Sequence, residues 1–341
     1  MKRFLLSLVA AIVATTASFA QSSLLATLTH VQNMGAISTY YGATALREAH
    51  ADAVDGDIIT LSSGTFNSVE ITKGVTIRGA GMDVDPTTQS EPTILTGDFN
   101  VSIPKTATSP LTIEGIYTDY KMYVTDTLRN ATFLKSRFQK IDSKNSQQPF
   151  INLTMIHCKV STLLYCVANS TINCINCVIW NPYCHDGYKS VFEMTNCIIC
   201  KEDISWYLYS STFKNCIFIG NPGTWHALNY RYGVNTVYNC VAADNNDAFT
   251  QIQNSTNKKS TYAEVFKTCK DGTYNDSETF ELTETAAAQF LGTDGTQVGI
   301  YGGSMPFSIT PSNPQITKCN VASKSTADGK LSVDITVQGA E

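Results

Sequence analysis

The stretch Cys174-Ile175-Asn176-Cys177-Val178-Ile179 decides the fold of this chain because it is repeated. Each copy reads apolar residue, any residue, Asn, Cys and two apolar residues, and copies recur about every 19–24 residues. Such a period is typical of a solenoid. The other copies are Met194-Thr195-Asn196-Cys197-Ile198-Ile199, Phe213-Lys214-Asn215-Cys216-Ile217-Phe218 and Val237-Tyr238-Asn239-Cys240-Val241-Ala242, with looser ones at Leu128-Arg129-Asn130-Ala131 and Met155-Ile156-His157-Cys158.

Two earlier copies carry Gly at the Asn position, namely Gly79 and Gly115. Asn and Gly both tolerate left-handed backbone, so this position is predicted to be a sharp bend between two strands. The inward residues are then the one two before the bend, the Cys after it and the residue three after it, all of them apolar. The residue just before the bend is predicted to face water; it is Arg78, Glu114, Arg129, Thr195, Lys214 or Tyr238. The pattern indicates a one-sided core.

Composition favours β structure in an exported protein. Only 16% of the residues are charged and the net charge is −5, which argues against a nucleic-acid partner. Residues 1–20 have the pattern of a secretory signal peptide: Lys2 and Arg3, an apolar run, and Ser18-Phe19-Ala20 before Gln21. We therefore expect a secreted, periplasmic or cell-surface protein that does not span a membrane.

One amphipathic helix is predicted near residues 43–54, before the first short strands, where it would cover the open end of the core. That helix, Gly56-Asp57-Ile58-Ile59-Thr60-Leu61 and Val75-Thr76-Ile77-Arg78-Gly79 resemble the opening of the pectin-lyase-like right-handed parallel β-helix proteins secreted by bacteria. Gly295-Thr296-Gln297-Val298-Gly299-Ile300-Tyr301-Gly302-Gly303 resembles the closing segment of that group. The resemblance implies an all-β, single-stranded right-handed parallel β-helix, and it implies no particular activity.

The chain is predicted to have three parts. Residues 1–20 are the signal peptide, residues 21–303 the β-helix with its capping helix, and residues 304–341 a linker and a strand-rich tail. In the tail, residues 315–322 and 331–338 alternate in strand fashion around Asp328-Gly329, which predicts a hairpin.

The repeated Cys and Asn residues have structural interpretations. Cys177, Cys197, Cys216 and Cys240 would stack about 4.8 Å apart with parallel side chains, whereas a disulfide needs converging Cβ atoms. We favour buried free thiols over bridges. The pairs Cys174/Cys177 and Cys197/Cys200 have zinc-ligand spacing, which the repeat explains without a metal. The matching asparagines are expected to form an asparagine ladder in which each amide bonds to the next coil.

Functional residues are expected in the irregular loops that follow the second strand of each coil. A surface of aromatic side chains with polar groups between them suits a sugar chain, because sugar rings stack on aromatics and their hydroxyls take hydrogen bonds. The same residues also fit aromatics that cover coil edges and charges that face water. The candidate carbohydrate-binding residues are Tyr183, His185, Trp206, Trp225, His226 and Tyr230.

An enzymatic alternative has weaker support. Asp186 with Glu202 or Asp203 would supply the paired carboxylates of a glycoside hydrolase. Lys201 or Arg231 would be the base of a polysaccharide lyase acting on an acidic glycan, with Ca²⁺ held by Asp244 or Asp247. No cofactor is expected otherwise. Because none of these sets forms a recognisable signature, polysaccharide binding or a surface-structural role without turnover is slightly favoured.

Overall fold

The chain forms an all-β parallel solenoid of about eight turns, as the repeat predicts. The structure is a computed structural model that describes residues 24–85, 89–143, 148–166, 169–184, 190–201, 210–220, 235–243, 256–272, 275, 277–312, 315–321, 324, 329–330 and 332–338. Residues 1–20, predicted to be a signal peptide, lie outside this part of the chain.

The described strands are, in chain order, β1 Leu25–His30, β2 Ala36–Tyr41, β3 Ile58–Leu61, β4 Gly64–Asn67, β5 Thr76–Arg78, β6 Thr93–Thr96, β7 Phe99–Val101, β8 Thr112–Glu114, β9 Ile116–Val124, β10 Leu128–Arg129, β11 Thr132–Leu134, β12 Arg137–Asp142, β13 Phe150–Ile151, β14 Leu153–Ile156, β15 Lys159–Cys166, β16 Thr171–Ile175, β17 Val178–Trp180, β18 Pro182–Cys184, β19 Val191–Thr195, β20 Ile198–Lys201, β21 Thr212–Lys214, β22 Ile217–Gly220, β23 Thr236–Tyr238, β24 Val241–Ala242, β25 Lys258–Lys259, β26 Gln315–Val321 and β27 Val333–Gln338. The helices are α1 Ala45–Asp52, α2 Tyr262–Val265 and α3 Glu284–Gln289, with a 3₁₀ turn at Val31–Asn33.

Two long sheets run the length of the solenoid. Sheet A has the order β2-β1-β3-β5-β8-β11-β14-β16-β19-β21-β23, and sheet B has the order β25-β24-β22-β20-β17-β15-β12-β9-β6-β4. From β3 onward, neighbouring strands of sheet A are parallel and come from successive coils. Each coil therefore contributes one strand to each sheet.

The corner between the two sheets is where the repeat places it. Asn176, Asn196, Asn215 and Asn239 have φ of 49°, 54°, 56° and 52°, and His157 and Gly115 have φ of 54° and 65°. Gly79 is an exception because its φ is not left-handed; a Cβ there would lie 2.3 Å from the carbonyl oxygen of Gly115. The assignment of Asn130 to this corner is wrong.

Asn130 instead lies at a second corner, before sheet A, because Leu128 and Arg129 pair with Phe150 and Ile151 of the next coil. Lys135, with φ of 46°, takes the equivalent of the Asn176 position in that coil.

The predicted inward residues are buried. Cys174, Met194, Phe213 and Val237, the four cysteines and Ile179, Ile199, Phe218 and Ala242 are at most 1% exposed. Cys158 extends the cysteine column by one coil, and the backbone N–H of Cys158 donates to Sγ of Cys177 at 3.3 Å. Nine cysteines form no disulfide: Cys158, Cys166, Cys174, Cys177, Cys197, Cys200, Cys216, Cys240 and Cys269. The described residues contain no cluster of three or more His, Cys, Asp or Glu that fits a metal ion.

The prediction of a one-sided core is wrong for the later coils. The outward residues of β17, β20, β22 and β24 form a second buried cluster with residues of the segment from 265 to 300, among them Phe280, Phe290 and Ile300. Strands that are buried on both faces read as continuous apolar runs. Val178-Ile179-Trp180 and Ile217-Phe218-Ile219 are such runs.

The side chains of Asn176, Asn215 and Asn239 bond to the C-terminal segment rather than to the next coil, so the predicted ladder is wrong. We call residues 290–312 the strap, because they lie along the corner. Asn176 Nδ2 donates to the carbonyl oxygens of Ile300 and Gly302 at 2.7 and 2.8 Å. Further contacts are Asn215 Oδ1 with Thr293 N, Asn239 Nδ2 with Leu291 O, and His157 Nε2 with Met305 O.

The strap also buries a residue that the repeat predicts to face water. Glu114 is 2% exposed, because its Oε1 accepts from Ser312 N at 2.8 Å and its Oε2 lies 3.4 Å from Arg78 Nε. The prediction for Glu114 is therefore wrong. A buried carboxylate is stable here because it has both a hydrogen bond and an ion pair.

The N-terminal end carries a hairpin that the sequence pattern did not predict. Strands β1 and β2 form an antiparallel hairpin, and β1 also pairs antiparallel with β3. Helix α1 is shorter than the predicted range, and its Ala45, Leu46 and Ala49 join the cluster that contains the first coils. In the tail, β26 and β27 pair antiparallel.

Candidate functional site

Two of the sequence-predicted site residues lie in the described part of the chain. Tyr183 lies in β18, and Lys201 ends β20 and pairs with Gly220. The structure does not bring these two strands into one pair. The remaining candidates lie outside the described residues: Asp186, Glu202, Asp203, Arg231, His185, Trp206, Trp225, His226, Tyr230, Asp244 and Asp247.

Tyr183 belongs to a row of side chains on the outer face of sheet B. The register places Asp142 between Tyr123 and Tyr165, and it places Tyr183 opposite Tyr165. The rings of Tyr165 and Tyr183 are stacked, with centroids 4.8 Å apart. Tyr165 is only 6% exposed. These two rings therefore cover one another and leave mainly Tyr183 for contact with a ligand.

A groove with more contact surface lies at another position of sheet B, next to the corner. There the register aligns Tyr117, Arg137, Lys159, Val178 and then Ile198 in successive coils. Val178 and Ile198 are buried beneath the second core, whereas Lys159 is partly exposed. The change from apolar to charged residues therefore marks the place where the second core ends on the outer face of sheet B.

The groove at this place has a volume of about 360 Å³. We call it the Lys159 groove. Its apolar lining includes Val178, Phe280, Ile300 and Phe307, and polar groups come from Asp83, Lys159 and residues 277–279. A groove whose lining combines apolar side chains with converging polar groups can hold a small ligand or part of a larger one.

Fixed charges surround one side of the groove. Lys159 Nζ lies 3.0 Å from Asp83 Oδ2, and Arg137 Nη1 lies 3.6 Å from Asp83 Oδ1. Arg137 also lies over the ring of Tyr117, 4.5 Å from its centroid, and 3.9 Å from a carboxylate oxygen of Asp119. Asp83 thus faces two cations, Asp119 lies beside one of them, and Glu278 also lines the groove, so carboxylates balance the positive charge at this side.

Aromatic rings from the strap form the other side. The ring of Phe307 lies 5.8 Å from Lys159 Nζ and packs edge to face on Tyr301, with centroids 6.3 Å apart. The hydroxyl of Tyr301 donates to the carbonyl oxygen of Thr279 at 2.9 Å, which fixes the ring. Burial, and then the charge of Glu281, raise the pKa of Tyr301, so this hydroxyl stays protonated at neutral pH.

Sequence reasoning missed the Lys159 groove although one signal was present. The residue after the column cysteine is Lys159 in one coil and Val178, Ile198, Ile217 and Val241 in the four later coils. A single charge in an otherwise apolar column marks the coil where the environment changes. The contribution of the strap was not predictable, because Phe307 is 148 residues from Lys159 in sequence.

Comparisons with protein-family models, curated proteins and solved structures gave no match. None of the helices in the described ranges is long and apolar enough to cross a membrane.

Proposed function

We propose that this is an exported β-helix protein that binds polysaccharide, with the Lys159 groove as a binding site for part of the glycan. The observation that carries the proposal is the convergence of a partly exposed aromatic ring, Phe307, and a cation, Lys159, on one groove of about 360 Å³. A sugar ring has an apolar face that packs on an aromatic ring and hydroxyls that accept hydrogen bonds from a cation.

The proposed ligand is an acidic glycan, because Lys159 lines the groove and can donate to a uronate carboxylate as well as to Asp83. Binding of such a carboxylate would weaken with added salt, because dissolved ions compete for the charges. Binding of a neutral glycan would depend on Phe307 and be less sensitive to salt.

The test uses retardation of the purified protein in native gels that contain polygalacturonate or a neutral β-glucan. Lys159→Met is expected to reduce retardation by polygalacturonate about tenfold and to change retardation by the neutral glycan little. Phe307→Ala is expected to weaken both. Lys267→Met is the matched control, because it removes the same charge from an exposed pair with Glu281. Equal retardation of Lys159→Met and Lys267→Met would overturn the site.

The same incubations test the enzymatic alternative. Absorbance of unsaturated products, with and without Ca²⁺, would reveal a lyase, and new reducing ends would reveal a hydrolase. Appearance of either product would replace the binding role with turnover. Replacement of Trp225 by Ala tests the loop residues proposed from the sequence; unchanged retardation would remove them from the site.

Export is the remaining part of the proposal. It is supported by the pattern of residues 1–20 and predicts a mature N-terminus at Gln21. Mass spectrometry of the protein recovered from the culture medium or the periplasm gives the mass of the mature chain and thereby its N-terminus. Recovery of the full-length chain in the cytosol alone would contradict export.

A further inference from the structure

The N-terminal end of sheet A has an unpaired strand edge. Strand β2 pairs with β1 on one side, and no described strand pairs with its other side. The hydrogen bond from Gly42 N to Leu24 O makes residues 24 and 42 a hydrogen-bonded pair of the antiparallel ladder. Because such pairs alternate, Tyr40, Ser38 and Ala36 bond to β1, and the N–H and C=O groups of Ile37, Thr39 and Tyr41 point to the open edge.

Among the described residues, nothing of the kind that usually protects an edge strand is found at this edge. Native edges carry Lys, Pro, bulges or a covering element. Residues 31–46 contain no charged residue and no proline, and the β1–β2 register has no shift. Apolar side chains are also exposed here: Met34 is 99%, Ile37 67% and Tyr41 51% accessible.

We propose that β2 is an interaction surface for a second copy of this chain, which joins two solenoids by their N-terminal ends. In an antiparallel pair centred on Thr39, Thr39 lies opposite Thr39 of the second copy, and Ile37 lies opposite its Tyr41. All three outward residues then form hydrogen-bonded pairs, which gives six backbone hydrogen bonds. The β-branched and aromatic side chains meet across the new pair on both sides of the two-fold axis.

The lack of charge on β2 and the short segment before Leu24 both favour a second copy of this chain as the partner of β2. A strand without charges pairs with its own copy without placing like charges opposite each other. If the leader is removed after Ala20, only Gln21-Ser22-Ser23 precede Leu24. At about 3.5 Å per residue, three residues are too few to turn back and pair along the six-residue strand β2.

Sedimentation equilibrium of the exported full chain, with its N-terminus read by mass spectrometry, tests the proposal. The expected result is a monomer–dimer equilibrium with a dissociation constant below about 100 µM, which is typical of a small interface. Thr39→Pro removes an outward N–H from each copy, two of the six bonds, and is expected to weaken dimerisation roughly 10- to 30-fold. Thr39→Lys places two like charges opposite each other and is expected to have a similar effect.

The control is Thr27→Lys, which adds the same charge to the same face of the sheet on the interior strand β1, opposite Thr39. It is expected to dimerise like the unmodified chain. Circular dichroism and the thermal midpoint verify that each variant is folded. A processed chain that stays monomeric at about 100 µM, a dimer that Thr39→Lys leaves intact, or open-ended polymers in place of a dimer would each overturn the proposal.

Discussion

Replacement of Asn176 tests the corner and the strap together. Asn176 is 1% exposed, has φ of 49°, and donates from Nδ2 to two strap carbonyls at 2.7 and 2.8 Å. Asn176→Gly keeps the backbone free to be left-handed but removes both hydrogen bonds, at about 1 kcal/mol each. Asn176→Ala also adds about 1–2 kcal/mol of left-handed strain. The expected losses of unfolding free energy are therefore about 2 and 3–4 kcal/mol.

Urea unfolding measures these losses, and hydrogen exchange locates them. The amides of residues 298–303 are expected to exchange faster in Asn176→Gly than in the unmodified chain, whereas those of β3 and β5 keep their rates. The matched control is Asn152→Gly, also left-handed at φ of 57° but exposed and bonded only to Asn130 at 3.1 Å. We expect a change below about 1 kcal/mol there. Equal stability of Asn176→Gly and Asn152→Gly would refute the role of the strap contacts, and equal stability of Asn176→Gly and Asn176→Ala would refute the backbone argument.

Three further predictions concern the column, a buried histidine and a tight glycine. The column cysteines are fully buried, and burial raises the pKa of the Cys197 thiol, so the column should resist thiol reagents when folded. Most of the cysteines should react in the unfolded, unreduced chain; few reactive thiols there would indicate bridges. Burial, and secondarily the charge of Lys73, lower the pKa of His50 to about 4. Between pH 4 and 6.5 the unfolded chain therefore binds a proton that the folded chain does not. The free energy of unfolding is expected to fall by roughly 2 kcal/mol as the pH drops through this window. Urea midpoints at pH 7 and 4.5 should show a smaller pH effect in His50→Gln, and an equal effect in both chains would contradict this cause. Gly79→Ala should cost more than about 2 kcal/mol in urea unfolding, because its Cβ would lie 2.3 Å from a backbone oxygen. Gly295→Ala, whose Cβ would meet open space, should cost only the strain of its φ of 78°, about 1–2 kcal/mol. The reverse order would show that the backbone near Gly79 adjusts.

The corner and the inward residues could be predicted because they depend on local physics. A left-handed bend favours Asn or Gly wherever it occurs, and the side chains that follow it have a fixed parity, so four copies of one phrase defined both. His157 extends the corner and Lys135 shows that it also accepts residues outside this preference. Asn130 was misplaced because a second corner with the same preference precedes sheet A.

The partners of the corner side chains could not be predicted in the same way. A buried amide needs a hydrogen-bond partner, and both the next coil and a distant segment offer carbonyl oxygens. The strap could not be predicted as the partner, because Asn176 and Ile300 are 124 residues apart in sequence. The continuous apolar runs of β17 and β22 were the available evidence that another segment covers sheet B.

The Lys159 groove lies where the outer face of sheet B changes from apolar to charged. A segment that packs on this face gains free energy over Val178, Ile198, Ile217 and Val241, at about 25 cal/mol for each Å² of apolar surface removed from water. Over Lys159 and Arg137 this gain is absent, because their side chains, 13% and 10% exposed, are already covered by contacts with Asp83 and with aromatic rings. The second core ends at this change. A groove with an apolar wall and a charged wall remains there, and the proposed glycan would contact both.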